Sequence, residues 1–398
     1  MKKTIVLLLI TTLLLSMAAC SYAVPDPLSY PDYTFTDAPD TMQLRMTAVQ
    51  AMHDILSIQW CTEKEIAYRK TGPVSHKQFL HEPGKTYAGL LYSNANTGLF
   101  QFLEFYNAQN GCLEYEGSSD ELKKDIGSSC ADALLWAWST VCNSITGGFY
   151  PVMMVKSNGY LPVGDYTYNF SISSYNQLPS YEIIEMHPKE TIMAAYAEIL
   201  PADALVTNSD NHAMMAIESA NVCYLPDGSI DSANSYVMIQ DQRAGGSTFY
   251  ESVENGHKLH YSGRTSAKYT FDELYEGDYI PVTTAEFLGF EEYETASVTV
   301  QGGPCESMDD LLNMTIESNY PLAVCNIICV DAKGKQTVLD RILFSGSSIP
   351  GVPRTYTLSE NESIEGFNDS PYNQEGNVIR IEVVVSTGER FFPIELTI

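Results

Sequence analysis

The sequence predicts an α+β domain that is followed by an all-β sandwich. Apolar side chains recur at helical spacing between Thr41 and Trp60, and the segment from Cys130 to Asn143 is apolar almost all round. From about residue 291 the pattern changes to short runs rich in Val, Ile and Thr that alternate with turn residues. This change of pattern along a chain of 398 residues predicts two domains, 41–290 and 291–398.

The first 19 residues form a pattern typical of a secretory signal peptide. Two lysines precede an apolar run over residues 5–15, which is too short to span a bilayer. Cys20 comes directly after two alanines, and this resembles the lipobox of bacterial lipoproteins, in which the cysteine is acylated. The resemblance implies a lipid anchor on Cys20 at the outer side of the cytoplasmic membrane, with 20–40 as a tether. Ordinary secretion with an incidental cysteine is the alternative.

The elements of the first domain follow from caps, turns and periodicity. Asp40 or Thr41 offers an N-cap to the first helix, and the second helix is expected to end before Gly147. Residues 212–217 and 236–240 flank a Pro-Asp-Gly turn, which predicts a hairpin with a long loop. The segment 243–289 is polar and aromatic and has no pattern that assigns it.

The second domain is expected to be an immunoglobulin-like sandwich. Strand-like runs recur over roughly a hundred residues, and a tight turn at Gly334 separates two of them. The candidate strands are Ala296–Val300, Asn313–Glu317, Leu322–Val330, Thr337–Phe344, Val378–Ser386 and Phe391–Ile398.

The composition limits the partners and cofactors that we expect. The net charge of −28 argues against binding to nucleic acid, which needs clustered Lys and Arg, and against adhesion to anionic lipid by charge alone. The membrane would therefore be reached through the lipid anchor. His257 and His260 have a metal-like spacing but no apparent third ligand, so we expect no metal, and no sequence pattern calls for a cofactor.

Nine cysteines are present, and an exported location permits disulfides. Spacing alone does not give their connectivity. Cys325 and Cys329 lie in an apolar run, where they are either small buried hydrophobic residues or one of them pairs with Cys305.

Cys130 is the first candidate catalytic residue. It follows Gly127-Ser128-Ser129 and is expected to open the buried helix, so its thiol would lie at the positive end of the helix dipole. That field favours the thiolate, which is the nucleophilic form. The small residues before it would let a carbonyl substrate approach and would offer N–H donors to an oxyanion. A buried structural cysteine would leave the same pattern.

His212 and Asp241 are the candidates for the base and for the residue that orients it. His212 begins an apolar run, so it can face a cleft while its neighbours pack inward. Asp241 follows the opposite strand of the predicted hairpin, which would place its carboxylate beside the imidazole and fix the tautomer. Gln240 and Gln242 are the alternatives for this third position.

Short motifs around these residues resemble those of NlpC-like cell-wall peptidases in the papain-like superfamily. The order of Cys130, His212 and Asp241 matches the papain-like order. The matching segments are Cys130–Trp138, similar to the nucleophile helix, Leu200–Leu205 with Asn211–Met215, similar to the Pro-Gly-Asp and Gly-His-Val segments, and Gly89–Ser93, similar to the segment whose Tyr lines the cleft.

This resemblance implies a papain-like fold for 41–290 and a substrate-binding role for Tyr92. The chain departs from the family at Ala202, where Gly is common, and at Lys124, where papain relatives place a Gln that stabilises the oxyanion. The backbone N–H of Cys130 is then the remaining candidate donor to the oxyanion.

By resemblance, we expect a cysteine-dependent amide hydrolase that acts on peptidoglycan peptides at the cell surface. Cys130 would attack the carbonyl, His212 would activate the thiol and protonate the leaving amine, and Asp241 would orient His212. Two rivals have the same residues. One is an inactive surface protein that binds peptide or glycan, and the other is an acyltransferase or transglutaminase-like enzyme.

Overall fold

The computed structural model describes residues 31–69, 78–107, 109–115, 122, 124–145, 159–166, 179–243, 250–254, 257–346, 352–360 and 371–398. The predicted signal peptide and Cys20 lie outside these residues, and so does Gly147 at the expected end of the second helix. Among the residues described, no helix is long and apolar enough to cross a membrane.

The predicted fold class is wrong. The described residues lie mostly in small β-sheets that are arranged like a four-bladed β-propeller with few helices, and not in a papain-like α+β domain followed by an immunoglobulin-like sandwich. The error has a physical origin in two segments, 59–113 and 250–284, that show no clear periodicity of polar and apolar residues. Both are rich in Tyr, Phe and Thr, which favour strands, and both form strands in the structure.

The helices are short, apart from the first. It is capped by Asp40, whose carboxylate accepts a hydrogen bond from the N–H of Gln43 (2.8 Å). The side-chain oxygen of Gln43 in turn accepts from the N–H of Asp40. The helix expected over 130–143 ends earlier, at Trp138. The helices are α1 Thr41–Ser57, α2 Leu99–Leu103, α3 Cys130–Trp138, α4 Ser180–Glu185, α5 Lys189–Ala197, α6 Phe271–Glu276 and α7 Met308–Leu312.

Strands before residue 290 form two six-stranded sheets and a two-stranded ribbon. They are β1 Gln59–Thr62, β2 Ile66–Arg69, β3 Gln78–His81, β4 Thr86–Ala88, β5 Tyr106–Asn107, β6 Cys112–Leu113, β7 Tyr160–Pro162, β8 Ala204–Thr207, β9 His212–Ala216, β10 Tyr236–Gln242, β11 Tyr250–Glu254, β12 His257–Tyr261, β13 Gly263–Thr270 and β14 Ile280–Thr284. The sheet orders are β11-β12-β4-β1-β6-β5 and β13-β10-β9-β8-β14-β7, and β2 pairs with β3.

The remaining strands form sheets of three and four strands. They are β15 Val298–Gln301, β16 Thr315–Ser318, β17 Leu322–Val330, β18 Gln336–Leu343, β19 Thr355–Thr357, β20 Val378–Val385 and β21 Arg390–Thr397. Their orders are β15-β16-β19 and β18-β17-β20-β21. The six strands predicted in this region are confirmed to within about two residues, because their Val and Ile content gives a strong strand pattern.

Two hydrophobic clusters stabilise the chain. The larger one surrounds α1 and α3 and takes in Val324 and Val384 from the C-terminal strands, and the smaller one lies within the C-terminal sheets. α3 packs against both α1 and β9, so the first residue of the helix lies near the first residue of β9. The predicted tether packs against the protein body from Tyr33 onward, since Tyr33 is buried and donates its hydroxyl to Asp54 (2.8 Å).

Candidate active site

Cys130 is the first residue of α3, as the sequence predicts. Ser129 caps the helix: its hydroxyl accepts from the N–H of Asp132 (3.4 Å), and Asp132 accepts from the N–H of Ser129 (3.1 Å). Ser129 accepts from the N–H groups of Asp132 and Ala133, so the N–H groups of Cys130 and Ala131 are the ones available to an anion near the thiol. The Cys130 side chain is largely buried, with 6% of the residue exposed.

The turn before Cys130 is fixed by backbone contacts with residues 91–97. Gly127 has φ 112°, and a Cβ there would lie 2.6 Å from the carbonyl oxygen of Leu91 and against Ser93, so only glycine fits. Thr97 accepts from the N–H of Gly127 (2.9 Å) and donates its hydroxyl to the carbonyl oxygen of Gly127 (3.1 Å). The turn is therefore held rigidly just before the thiol.

Tyr92 belongs to the segment that supports this turn. It forms a parallel bridge with Ser128, where the N–H of Ser128 donates to Leu91 (3.0 Å) and the N–H of Ser93 donates to Ser128 (3.3 Å). The structure thus places Tyr92 beside the residues that lead into Cys130. Its role in binding substrate stays a prediction.

His212 is the first residue of β9 and lies beside Cys130. Asn211, just before it, adopts φ 49°, and its carbonyl oxygen lies 4.0 Å from the sulfur of Cys130. The Nε2 atom of His212 lies 2.7 Å from Oδ2 of Asp241. The Cys130 side chain is close enough to His212 to contribute to the pKa of the imidazole. The structure therefore brings Cys130, His212 and Asp241 together in the predicted order.

Asp241 is fully buried on β10 and carries a feature that sequence reasoning missed. Two arginines hold its carboxylate: Arg264 donates from Nε to Oδ1 and from Nη2 to Oδ2, both at 2.8 Å, and Arg243 donates from Nε to Oδ2 at 2.6 Å. The hydroxyl of Tyr269 accepts from Arg243 (2.8 Å) and from Arg264 (3.2 Å). We call Arg243, Arg264 and Tyr269 the arginine clamp.

A bulge in the sheet creates the arginine clamp. The register between β10 and β13 shifts between Ile239 and Asp241, and this shift sets Asp241 directly opposite Arg264. The two glutamines that were alternatives for Asp241 point elsewhere. Gln240 donates to the carbonyl oxygen of Val49 (2.9 Å), and Gln242 donates to that of Leu90 (2.8 Å).

The environment of His212 and Asp241 favours the charged form of both side chains. Burial lowers the pKa of His212, but the hydrogen bonds to Asp241 and Cys130 outweigh it and raise that pKa from 6.5 to about 9. Burial raises the pKa of Asp241, but the bonds from His212 and Arg264 outweigh it and hold that pKa well below its usual range. At neutral pH His212 is therefore an imidazolium beside the Cys130 side chain.

Lys124, the two histidines with metal-like spacing and Cys20 are the other features that the sequence singles out. Lys124 is exposed on a helical turn and lines a separate cavity, so it does not replace the missing glutamine at the oxyanion. His257 and His260 lie on β12. Within the described ranges no group of three side chains that could hold a metal ion occurs. Cys20 lies outside those ranges.

The segment that resembles Pro-Gly-Asp has a structural role. Asp203 forms a buried ion pair with Arg45 (2.6 Å), and Arg45 also donates to the carbonyl oxygens of Pro201 (2.8 Å) and Phe287 (3.1 Å). Ala202 adopts φ 69°, a left-handed conformation that favours glycine.

One disulfide is present among the described residues, between Cys61 of β1 and Cys112 of β6. Cys325 and Cys329 are free and buried, and Cys305 is also free, so of the two interpretations the structure favours small buried hydrophobic residues. No protein family, curated protein or solved structure matches this chain. The family resemblance therefore rests on the short motifs alone.

Proposed function

We propose that this protein is a cysteine-dependent amide hydrolase with Cys130 as nucleophile, His212 as general base and acid, and Asp241 as the residue that orients His212. The observation that carries the proposal is the placement of an imidazole, itself fixed by a buried carboxylate, on the residue next to Asn211, whose carbonyl oxygen lies 4.0 Å from a thiol at the start of a helix. Nucleophile, base and orienting group within hydrogen-bond reach are the arrangement that thiol catalysis requires.

The reaction follows from these contacts. The Cys130 thiolate attacks the amide carbonyl carbon and forms a C–S bond, while N–H groups at the start of α3 stabilise the oxyanion. Collapse of the tetrahedral intermediate breaks the C–N bond, and the His212 imidazolium gives its proton to the leaving amine. His212 then takes a proton from water as the water oxygen attacks the thioester carbonyl carbon; the C–S bond breaks, the carboxylic acid product is released, and Cys130 returns as a thiolate beside the His212 imidazolium.

We infer peptidoglycan peptides at the cell surface as the substrate class. The predicted lipid on Cys20 would hold the enzyme near the wall, and the motifs that resemble NlpC-like peptidases point the same way. The Cys61–Cys112 disulfide supports an exported location, because such bonds persist in oxidising compartments. This proposal includes no nucleic acid, metal or cofactor.

Hydrolysis of soluble peptidoglycan fragments by the full chain tests the proposal. Cys130→Ala is expected to abolish product formation, because no other group can form the thioester. Cys223→Ala removes a partly buried free thiol elsewhere and is the matched control, with unchanged activity expected. Equal hydrolysis by wild type and Cys130→Ala would show that the mechanism is wrong.

The burial of Cys130 favours a second candidate, a protein that binds peptide or glycan without chemistry, since only 6% of that residue is exposed. Binding of fragments with no hydrolysis by wild type would support it. A transferase uses the same intermediate but passes the acyl group to an amine. Adding an amine acceptor and finding the transamidated product would identify that reaction.

A further inference from the structure

The carboxylate of Asp241 is bonded by arginine at both oxygens, and one of these oxygens also carries the bond to His212. Oδ2 accepts from Nη2 of Arg264 (2.8 Å) and from Nε of Arg243 (2.6 Å), and it lies 2.7 Å from Nε2 of His212. Oδ1 accepts from Nε of Arg264 (2.8 Å). Because an ionised carboxylate only accepts hydrogen bonds, Nε2 of His212 carries the proton of its bond. Any rotation of this carboxylate therefore displaces the acceptor of the imidazole N–H.

Arg264 is the arginine that sets the plane of the carboxylate. Its Nε and Nη2 atoms bond the two oxygens of Asp241 side by side. Two parallel bonds of this kind fix the orientation of a carboxylate as well as its distance. Arg243 donates from Nε to Oδ2, and such a bond to one oxygen fixes a distance but not a plane. The two arginines therefore differ in what they can do for Asp241.

Tyr269 holds Arg264 in turn. The guanidinium carbon of Arg264 lies 5.4 Å from the centroid of the Tyr269 ring, a distance at which cation and ring attract each other. The hydroxyl of Tyr269 accepts from Arg264 (3.2 Å) and from Arg243 (2.8 Å), so it joins the two guanidinium groups. Arg264 and Tyr269 both lie on β13. The support thus runs from β13 through Asp241 on β10 to the imidazole on β9.

Balancing the charge of Asp241 does not require this geometry. One guanidinium balances one carboxylate, as at the buried pair of Arg45 and Asp203. Asp241 has two guanidinium partners, of which Arg264 is bidentate and stacked on a ring. The second guanidinium adds a fixed direction to a charge that is already balanced. Direction matters at a reacting centre, because a displacement of about 1 Å can cost a hundredfold in rate.

We propose that Arg264 is a positioning residue of the candidate active site. Its guanidinium holds the plane of the Asp241 carboxylate so that Oδ2 faces Nε2 of His212, and Tyr269 keeps that guanidinium in place. The site needs the shape of the group and not only its charge. The kinetic part of this proposal rests on the proposed function, whereas the bond between His212 and Asp241 is measured without any substrate.

The proton on Nε2 of His212 tests the proposal by NMR, because an imidazole proton in a short hydrogen bond to a carboxylate resonates far downfield. The full chain is labelled with 15N-histidine, and His212→Gln assigns the resonance. Arg264→Lys keeps the positive charge but cannot form two parallel bonds. This variant should move the resonance upfield and lower kcat for peptidoglycan fragments by about tenfold to a hundredfold, with KM little changed.

Two further variants make the result decisive. Tyr269→Phe keeps the ring and removes the hydroxyl that joins the guanidinium groups, so it should cause a smaller upfield shift, and it decides the case if Arg264→Lys does not fold. Arg380→Lys, in the surface pair of Arg380 with Glu395 (2.6 Å), is the matched control. It should change neither the resonance nor kcat. Urea denaturation shows which variants are folded.

The outcomes separate this role from the proposed function. A wild-type resonance in folded Arg264→Lys, whatever its kcat, would mean that a positive charge suffices and would overturn the proposal. A wild type without a downfield His212 proton would overturn it as well. An upfield shift in Arg264→Lys supports the positioning role even if the wild type hydrolyses no fragment, a result that would count against the proposed function alone.

Discussion

Asp203, just before β8, and Asp241, on β10 of the same sheet, are both buried and both bind arginine, yet their environments differ. Asp203 has one guanidinium partner, Arg45, which is only 2% exposed and shares its donors with backbone carbonyls. Burial raises the pKa of Asp203 despite that partner. Asp241 has His212 and two arginines as partners, and their bonds and charges lower its pKa despite burial.

From this difference we infer that Asp203 stabilises the fold and that Asp241 takes part in the proposed reaction. Arg45 and Asp203 join α1 to the residues around β8 and β14, where Arg45 also donates to the hydroxyl of Thr283 (3.4 Å). Asp241 is held ionised by the arginine clamp and faces a histidine that lies beside Cys130. Two substitutions of Asp to Asn should therefore have opposite consequences.

The largest effect is expected on activity from Asp241→Asn. An amide cannot stabilise the imidazolium and allows the wrong tautomer, so kcat/KM should fall about a thousandfold or more, as in other triads. Folding should survive better than after Asp203→Asn, because Arg243 and Arg264 remain 29% and 21% exposed and reach water. Steady-state hydrolysis of peptidoglycan fragments measures this, with Asp227→Asn on an exposed turn as the control.

The second effect is expected on stability from Asp203→Asn. Removing one charge of a buried pair leaves Arg45 uncompensated, so the free energy of unfolding should fall by about 3 kcal/mol. Urea denaturation followed by Trp fluorescence measures it, with kcat of the folded fraction expected to stay unchanged. A drop in kcat without a drop in stability would reverse the roles assigned to the two aspartates.

The third effect concerns the pH dependence of stability. The pKa of His212 is raised on folding from 6.5 to about 9, so its contribution is fully present below pH 6.5 and is lost as pH rises through 9. We expect wild type to lose about 2 kcal/mol across this window, and His212→Gln to lose much less. Parallel curves for both proteins would exclude the raised pKa.

The smallest effect is expected at Ala202, in the structural segment before Asp203. A left-handed alanine costs about 1 kcal/mol, so Ala202→Gly should raise the free energy of unfolding by about that amount. Ala204→Gly, on the extended strand β8, is the matched control and should lower it. Neither substitution should change kcat, because both residues belong to the structural region.

The candidate site was more predictable from the sequence than the fold. Cys130 and His212 lie at the starts of a helix and a strand, and the small residues and the apolar runs that mark these starts are local signals. Asp241 followed from the hairpin that pairs β9 with β10, which the structure confirms. Arg264 could not be predicted, because a bulge in the pairing with β13 sets it against Asp241 and leaves no local signal.

The fold could not be predicted because short strands leave weak patterns. β5 and β6 have two residues each, and β4 has three, too few for an alternation of polar and apolar side chains to show. The long strands β17 and β20 are buried on most positions and were predicted well. The packing of several small sheets is decided by contacts distant in sequence, such as Gln101 donating to the carbonyl oxygen of Phe344 (2.7 Å).

The rate at which iodoacetamide alkylates each free cysteine tests the central claim most directly. Peptide mapping by mass spectrometry follows Cys130 and, as an internal control in the same chain, Cys223, which is partly buried and has no histidine partner among the described residues. Cys130 should react at least about tenfold faster than Cys223, because the proposed nucleophile lies beside His212 at the start of a helix, and His212→Gln should remove the difference. Equal rates at Cys130 and Cys223, unchanged by His212→Gln, would contradict the account.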